Sequence, residues 1–293
     1  MQDLFLYMPQ IDGLVSVIIP AYNAENFLEE TISSVKRQSC SNWELIVVND
    51  GSTDKTSEIA SNETDARISL IEQKNAGVSA ARNAGLKMAK VEYLVFLDAD
   101  DLLSPAFLNA RIDYLHQHPD IGFVGGVVEK FPGEPKRYKP AAENPEQEIL
   151  FFDPACVTVP SNYLVRRRLL IENNIYFNTL LTSTADRFFI LQLSKVSKGG
   201  VINDAEAKLF YRINENSMSH RISRKLMNDN EQFYYQLKKN KLLPGKKRAA
   251  FKGIYFLGLS SGFFKTGQAG KFQLYFFKSL FSTPLILFKR LIR

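Results

Sequence analysis

The stretch Tyr93-Leu-Val-Phe-Leu-Asp-Ala-Asp-Asp101 predicts a buried strand that runs directly into a group of carboxylates. Residues 93–97 are apolar and strand-forming, and Asp98, Asp100 and Asp101 follow them at once. Unpaired buried charge is costly, so such carboxylates serve poorly in a core. They suit a hard divalent cation at the carboxyl end of a parallel strand, where open α/β folds place their ligands. Because Mg²⁺ and Mn²⁺ also bind phosphate oxygens, the stretch favours a metal and a nucleotide diphosphate, with a solvated turn as the alternative.

The sequence before this stretch alternates between strand and helix patterns. Short apolar runs are followed by segments with apolar residues at helical spacing, at intervals of about 25–30 residues. This alternation is typical of a parallel sheet wound with helices, an α/β fold. Polar groups follow three of the predicted strands and are expected at one sheet edge, at Pro20–Asn23, Asn49–Asp50 and Asp98–Asp100. The predicted strands are Val15–Pro20, Trp43–Val48, Ile68–Ile71 and Tyr93–Asp98, and the main predicted helices are Glu25–Gln38 and Val78–Ala89.

Four segments, in this order, resemble the family 2 glycosyltransferases of the GT-A fold. They are Val15-Ser-Val-Ile-Ile-Pro-Ala-Tyr-Asn23, Val47-Val-Asn-Asp-Gly-Ser-Thr-Asp54, Asn75-Ala-Gly-Val-Ser-Ala-Ala-Arg-Asn-Ala-Gly85 and Leu97-Asp-Ala-Asp-Asp101. The resemblance covers residues 14–104 and continues more weakly to about residue 220. It implies a Rossmann-like, mostly parallel sheet flanked by helices, and a catalytic domain over residues 1–220.

The resemblance also implies a nucleotide-sugar donor, usually a uridine diphosphate sugar, and a bound Mn²⁺ or Mg²⁺. A divalent cation stabilises the charge that develops on the departing diphosphate. A carboxylate that accepts from the uracil imide discriminates against cytosine, which lacks that donor. Arg82 matches a family arginine near the nucleotide, and the alternative for it is a surface helix arginine. The implied donor residues are Pro20, Ala21, Tyr22 and Asn23 along base and ribose, Asp50 on uracil, Arg82, and Asp98, Ala99 and Asp100 at ribose and metal, with Asp100 and Asp98 as metal ligands.

The predicted catalytic base is Asp186, which opens a helix in the segment Thr182–Leu193. The family carries a Glu-Asp pair at such a helix start, and its aspartate accepts the proton of the acceptor hydroxyl. Here position 185 is Ala, so the glutamate is missing. Two alternatives follow. In the first, Asp186 only complements the helix dipole as a first-turn acid. In the second, the chain is a catalytically degenerate homologue that binds nucleotide sugar or glycan without turnover.

His220 is the third predicted metal ligand, within a segment, Tyr211–Arg221, that resembles the family loop closing over the donor diphosphate. Imidazole is tolerated by Mn²⁺, although carboxylate suits that ion better. The alternative for His220 is a solvent-facing loop histidine.

Residues 221–293 form a predicted helical appendage that is basic and rich in aromatic residues. It holds 16 Lys and Arg against two acids, and 10 of the 22 Phe residues. Phe251, Tyr255, Leu259 and Phe263 lie at helical spacing. Such helices predict contact with an anionic membrane surface, with docking on the domain as the alternative. No apolar run approaches the ~20 residues of a membrane span, and no nucleic-acid-binding motif is present.

The sequence thus predicts an inverting, metal-dependent glycosyltransferase. Its expected substrates are a UDP-sugar and a glycan or lipid-linked acceptor in bacterial cell-surface polysaccharide synthesis. Two cysteines in 293 residues indicate free thiols in a reducing compartment. The expected location is cytoplasmic, peripheral on the inner face of the cell membrane. A dehydrogenase is disfavoured because no Gly-x-Gly-x-x-Gly segment follows the first strand.

Overall fold

The computed structural model of the chain describes residues 14–133, 136–138, 146–150, 158–213, 223–245 and 248–282. Its strands fall into a seven-stranded and a four-stranded sheet. The strands are β1 Val15–Ala21, β2 Trp43–Asn49, β3 Ile68–Glu72, β4 Tyr93–Phe96, β5 Leu102–Leu103, β6 Ile121–Gly125, β7 Val128–Phe131, β8 Lys136–Tyr138, β9 Leu164–Arg166, β10 Lys198–Val201 and β11 Leu209–Arg212.

The larger sheet has the order β10-β6-β9-β4-β1-β2-β3. Strands β1 to β4 are parallel to one another, and β6 and β10 form a further parallel pair, whereas β9 runs antiparallel to both of its neighbours. The prediction of a mostly parallel α/β sheet is therefore confirmed. The four strands predicted before residue 100 all form, with ends that differ by one or two residues.

Strand register brings the predicted polar groups to one edge of this sheet. Ala21 at the end of β1 pairs with Asn49 at the end of β2, and Ile18 of β1 pairs with Phe96 of β4. Parallel strands in this register deliver their carboxyl ends to the same edge. The loops after β1, β2 and β4 are thus neighbours in space.

Helices cover both faces of the sheet, which is why its inner strands are apolar on both sides. In β1, Ile18 belongs to one hydrophobic cluster while Val17 and Ile19 belong to the other, as the two-residue period of a strand requires. The helices are α1 Leu28–Lys36, α2 Thr56–Ser61, α3 Val78–Met88, α4 Phe107–Gln117, α5 Glu146–Leu150, α6 Arg167–Glu172, α7 Ala185–Val196, α8 Arg224–Lys239, α9 Arg248–Lys265 and α10 Ala269–Ser282.

The smaller sheet, of order β5-β11-β7-β8, returns the chain to the carboxylates that follow β4. Arg212 at the end of β11 donates its backbone N–H to Asp101 Oδ1 at 3.0 Å, and its Nε to the carbonyl of Asp100 at 2.8 Å. The smaller sheet therefore holds residues 98–101, the segment that follows β4, through Arg212.

The C-terminal helices α8, α9 and α10 pack on the α/β core. Phe251 and Phe263 are fully buried, and they share one hydrophobic cluster with Phe96 of β4. The predicted stripe of aromatic residues on α9 thus faces protein, which corrects the expectation that it meets a bilayer. The predicted boundary at residue 220 lies outside the described residues. Among the helices that are described, none combines the length and apolar character needed to cross a membrane.

Candidate active site

The turn after β1 is fixed by hydrogen bonds to the loop after β2. Asn23 adopts a positive φ of 49°, a conformation that asparagine tolerates better than most residues. Its backbone N–H donates to Ser52 Oγ at 3.0 Å, and its Oδ1 accepts from the Thr53 N–H at 2.9 Å. Pro20 and Ala21 are buried in β1, whereas the Tyr22 ring is exposed. The four predicted donor residues therefore form one rigid turn with an exposed ring at its tip.

Asp50, in the loop after β2, is buried and ties together the start of α3. Gln73 Nε2 and the Ala76 N–H donate to its Oδ1 at 2.6 and 2.9 Å, and the Gly77 N–H donates to its Oδ2 at 2.8 Å. A carboxylate has about four acceptor positions, so these bonds leave one for a ligand. Recognition of a base by Asp50 stays a prediction, and the structure gives this residue a structural role as well.

Arg82 of α3 bridges two carboxylates that are far apart in sequence. Its Nη2 donates to Asp98 Oδ1 and its Nη1 to Asp186 Oδ1, both at 2.6 Å. The Arg82 side chain is 2% exposed and lies over the Phe177 ring at 4.8 Å. The surface alternative for Arg82 is therefore excluded. The guanidinium fork joins the predicted donor site to the predicted base, a contact that the sequence did not indicate.

Burial and shared charge set the protonation of this group. The pKa of Asp186 is raised by burial and by the charge of Asp98, while Arg82 acts in the opposite direction. Burial alone lowers the pKa of Arg82, but the two carboxylates outweigh it and raise that pKa. One guanidinium thus serves two carboxylates, and excess negative charge remains. A raised carboxyl pKa brings Asp186 nearer to the range suited to a general base.

The segment 98–101 after β4 is held by groups from three other parts of the chain. Ser161 Oγ accepts the Asp98 N–H at 3.0 Å. Thr31 Oγ1 donates to the carbonyls of Ala99 and Asp101 at 2.9 and 3.0 Å. With Arg212 on the far side, the backbone of this segment is almost fully bonded. Thr31 and Ser161 were not predicted, since no local pattern marks them, whereas Arg212 lies in the predicted loop segment Tyr211–Arg221.

The carboxylates of this segment are wholly or partly buried and lie near one another. Burial, followed by the charge of Asp98, raises the pKa of Asp100 to about 6. Burial, followed by the charges of Asp98 and Asp100, also raises the pKa of Asp101 well above its usual range. Both shifts come first from burial and second from neighbouring negative charge, so a cation bound here would favour the ionised carboxylates.

These residues fit a Mg²⁺ or Mn²⁺ ion that is completed by its substrate. In the described part of the chain, no three His, Cys, Asp or Glu side chains form a cluster suited to a metal ion. Mg²⁺ nevertheless binds at nucleotide sites through one or two carboxylates together with phosphates and waters. Asp100 and Asp98 supply that number. His220, the third predicted ligand, lies outside the described residues.

Ala185 explains how the chain tolerates the missing glutamate before Asp186. The Ala185 side chain is fully buried in the cluster that includes Phe189 and Phe233. Asp186, one residue further along α7, is 31% exposed and reaches Arg82. The apolar residue at position 185 therefore packs inward, and the adjacent carboxylate still lies at the site.

Comparison of the fold with solved structures gives two examples that are similar over most of the chain. Staphylococcus aureus TarS (residues 1–349, solved with UDP-GlcNAc) has a TM-score of 0.65 and 22% identity, covering 91% of this chain and 79% of that one. The mannosyltransferase PcManGT of Pyrobaculum calidifontis, solved with GDP-Man and Mn²⁺, has a TM-score of 0.60 and 18% identity, covering 92% and 79%. This similarity confirms the predicted GT-A fold.

Sequence comparison identifies the family. The chain is 33% identical over 237 residues to the uncharacterized glycosyltransferase EpsJ of Bacillus subtilis, covering 77% of this chain and 68% of that protein. It is 40% identical over 119 residues to the Escherichia coli UDP-Glc:alpha-D-GlcNAc-diphosphoundecaprenol beta-1,3-glucosyltransferase WfgD, covering 40% of this chain and 47% of the relative. The profile of the glycosyl transferase family 2 matches residues 16–173. The chain is therefore a glycosyltransferase that belongs to family 2.

Proposed function

We propose that this chain is an inverting, metal-dependent glycosyltransferase that moves a sugar from a UDP-sugar to a glycan or lipid-linked acceptor. The observation that carries the proposal is the Arg82 bridge, which holds the base candidate Asp186 beside Asp98 at the edge where Asp50 and Asp100 also lie. A donor bound along this edge would lie beside Asp186, which comes from the second half of the chain and is not part of the segment that holds the cation ligands.

Each residue has a separate task in the proposed mechanism. Asp50 accepts from the base of the donor, and Asp98 and Asp100 hold the cation. The cation, when bound, neutralises charge on the departing diphosphate. Asp186 accepts the proton of the acceptor hydroxyl. At the same time the hydroxyl oxygen forms a bond to the anomeric carbon of the sugar, and the bond between that carbon and the diphosphate oxygen breaks. One direct displacement inverts the anomeric configuration.

Two comparisons support the donor and acceptor classes. The name of the Escherichia coli relative specifies UDP-Glc as donor and a diphosphoundecaprenol-linked sugar as acceptor. The match to this chain covers about half the length of that relative. The TarS structure holds UDP-GlcNAc, whereas PcManGT holds GDP-Man with Mn²⁺. A test of the donor must therefore compare uridine and guanosine nucleotides.

A thermal-shift panel tests the donor and the metal together. UDP-glucose, UDP-GlcNAc and GDP-mannose are each added to the full chain with Mn²⁺ or with excess chelator. We expect stabilisation by UDP-sugars only in the presence of metal, of about 2.7 kcal/mol at a hundredfold excess over Kd. Stabilisation by GDP-mannose but by neither UDP-sugar contradicts the proposed donor. Stabilisation that persists in excess chelator contradicts the proposed metal. Product NMR then checks inversion.

Replacing Asp100 with Asn is expected to abolish the metal dependence of UDP binding. Because the pKa of Asp100 is about 6, a proton competes with the cation below that pH. In the unmodified chain, Mn²⁺ affinity in the presence of UDP should fall as pH is lowered from about 7 to 5. The variant should show weak affinity across this range. Calorimetric titration measures both, with Asp113→Asn on the exposed face of α4 as the control.

Peripheral membrane association is the second part of the proposal, with α10 as the contact surface. Its outward face carries Leu274, Phe277 and Phe281, spaced three and four residues apart, and the two Phe rings are 54% and 82% exposed. No acid follows Glu231 in the sequence. A basic helix with exposed aromatic rings suits the anionic cytoplasmic leaflet of a bilayer. We therefore propose that an anionic bilayer covers this face, near a lipid-linked acceptor.

The double replacement of Phe277 and Phe281 with Ser is expected to weaken vesicle binding on the order of tenfold, since two rings lose apolar burial. Sedimentation with phosphatidylcholine vesicles, with and without phosphatidylglycerol, measures it. Binding should require phosphatidylglycerol and weaken with salt. Tyr235→Ser removes an exposed ring from α8 and serves as the control. Equal sedimentation of all three proteins contradicts the bilayer as partner.

A further inference from the structure

A carboxylate from the C-terminal region lies at the start of the helix that carries the base. Asp229 sits in the middle of α8 and is buried. Its Oδ1 accepts the Thr182 N–H at 2.7 Å, and its Oδ2 accepts the Thr184 N–H at 2.8 Å and the Thr184 hydroxyl at 2.9 Å. All three donors belong to the turn that leads into α7. Asp229 thus caps the turn that leads into α7 from a neighbouring helix.

Helix α7 lacks a cap of its own. The first N–H groups of a helix have no partner within it, and an oxygen from the N-cap side chain usually accepts one of them. Thr184 occupies the N-cap position of α7 but makes no such bond. Instead its hydroxyl is a donor to Asp229, whose negative charge also complements the positive end of the helix dipole. Asp229 does not replace that bond, because it accepts from residues 182 and 184, but it fixes the turn from which α7 begins.

Helix α8 is held firmly against α7, so the cap is part of a packed interface. The Phe233 ring of α8 is buried and meets the Phe188 ring of α7 edge to face, with centroids 6.1 Å apart. Gln236 Oε1 also accepts from Asn178 Nδ2 at 3.1 Å. A shift of the Asp229 side chain would therefore displace the residues at the start of α7.

The contacts of Asp229 lie close enough to Asp186 to affect the position of the proposed base. Asp186 is the second residue of α7, two residues after Thr184. Its carboxylate is oriented by Arg82, but the backbone that carries it is fixed by Asp229. A displacement of about 1 Å in a reacting group lowers the rate by about 10²-fold.

We propose that Asp229 is a positioning residue for the base Asp186, and hence that the C-terminal region is part of the support of the active site. The inference rests on the proposed function, in which Asp186 takes the proton of the acceptor. Asp229 itself contacts neither donor nor acceptor in this scheme. Its proposed role depends only on the three hydrogen bonds that it accepts from residues 182 and 184.

The test compares Asp229→Asn with Glu231→Gln in the full chain. Asn keeps the size of the side chain but replaces one accepting oxygen with an amide that donates. Either the Thr182 N–H, bound by Oδ1, or the two Thr184 groups, bound by Oδ2, then lose their acceptor. Glu231 lies two residues further along α8, and its carboxylate binds Lys271 and Tyr275 of α10 instead. The control therefore removes a charge from the same helix without touching α7.

Two readouts are expected to separate the variants. In D229N, amide hydrogen exchange at residues 182–188 should rise about 10–100-fold, while the central sheet stays protected. Hydrolysis of UDP-glucose or UDP-GlcNAc should show kcat lowered by about 10–100-fold with an unchanged Kd for UDP and Mn²⁺. E231Q should match the unmodified chain in both. Equal exchange at the α7 start in the two variants overturns the inference.

A double-variant cycle excludes a purely structural role. If Asp229 acts through Asp186, D229N should lower kcat little further in a D186N background. An equal loss in both backgrounds overturns the positioning role. If the unmodified chain turns over a nucleotide sugar and D229N has the same kcat, this inference is overturned while the proposed function stands. Absence of turnover of any nucleotide sugar by the unmodified chain overturns the proposed function, and the inference falls with it.

Discussion

Replacing Asp186 with Asn is expected to lower kcat for sugar transfer by about 10²–10⁴-fold, the usual contribution of a positioned general base. Asn cannot take the acceptor proton, yet its oxygen still accepts from Arg82 Nη1, so the ion-pair geometry should survive as a hydrogen bond. The donor should bind with unchanged affinity, because Asp186 lies on the acceptor side in the proposed scheme. Transfer kinetics together with calorimetry of UDP and Mn²⁺ measure the two quantities.

The control for this variant is Glu172→Gln, which removes an exposed acid from the end of α6 in the same half of the chain. It should leave kcat unchanged. A D186N variant that keeps more than about a tenth of the kcat assigns the base to another group, since a true base is worth at least about 10²-fold. A D186N variant with lost donor binding instead places Asp186 on the donor side.

Replacing Arg82 with Met is expected to cost about 3–5 kcal/mol of folding stability, the usual effect of removing one partner from a buried ion pair. The variant leaves Asp98 and Asp186 near each other with no positive partner, and both are partly buried. Activity should be lost as well, since the pair joins the donor edge to the base. Urea unfolding measures the stability, and donor hydrolysis measures the activity.

Arg67→Met is the matched control for Arg82. Arg67 also forms an ion pair, with Asp65 at 2.7 Å, and it also lies over an aromatic ring, that of Trp43. Its side chain is 41% exposed, so its pair is screened by solvent and contributes little to folding stability. Equal destabilisation by the two replacements would show that the Arg82 bridge is not a buried anchor. Arg82→Lys should rescue little, because one ammonium does not reproduce the two-armed guanidinium geometry.

Much of the fold was readable from local pattern. Each predicted strand before residue 100 forms, because short apolar runs with turn residues at their ends have few alternatives in an α/β chain. The shared edge for Ala21, Asn49 and Asp98 followed from the rule that parallel strands end on one side. The C-terminal helices were predicted at Leu226–Leu242, Lys247–Phe264 and Lys271–Ile292. The first two form within three residues of these bounds, and the third begins within two residues of its predicted start, while its predicted end lies outside the described residues.

The partner of those C-terminal helices was not readable. Phe251 and Phe263 were predicted to meet a bilayer, but an amphipathic pattern is also compatible with a protein core, since both environments are apolar. For α9 the partner is the protein core, because its aromatic residues pack in the cluster that includes Phe96. The face of α10 that stays exposed involves different rings, Phe277 and Phe281. Only burial in three dimensions separates the two sets.

The sequence by itself determined the fold class, the family and the identity of the carboxylates at the site, because these depend on residues close together in the chain. The tertiary structure alone decided which groups orient them. Arg82 reaches Asp186 across 104 residues, and Thr184 meets Asp229 across 45. Such pairings depend on how whole helices pack, and packing is set by the fit of many buried side chains rather than by any local motif.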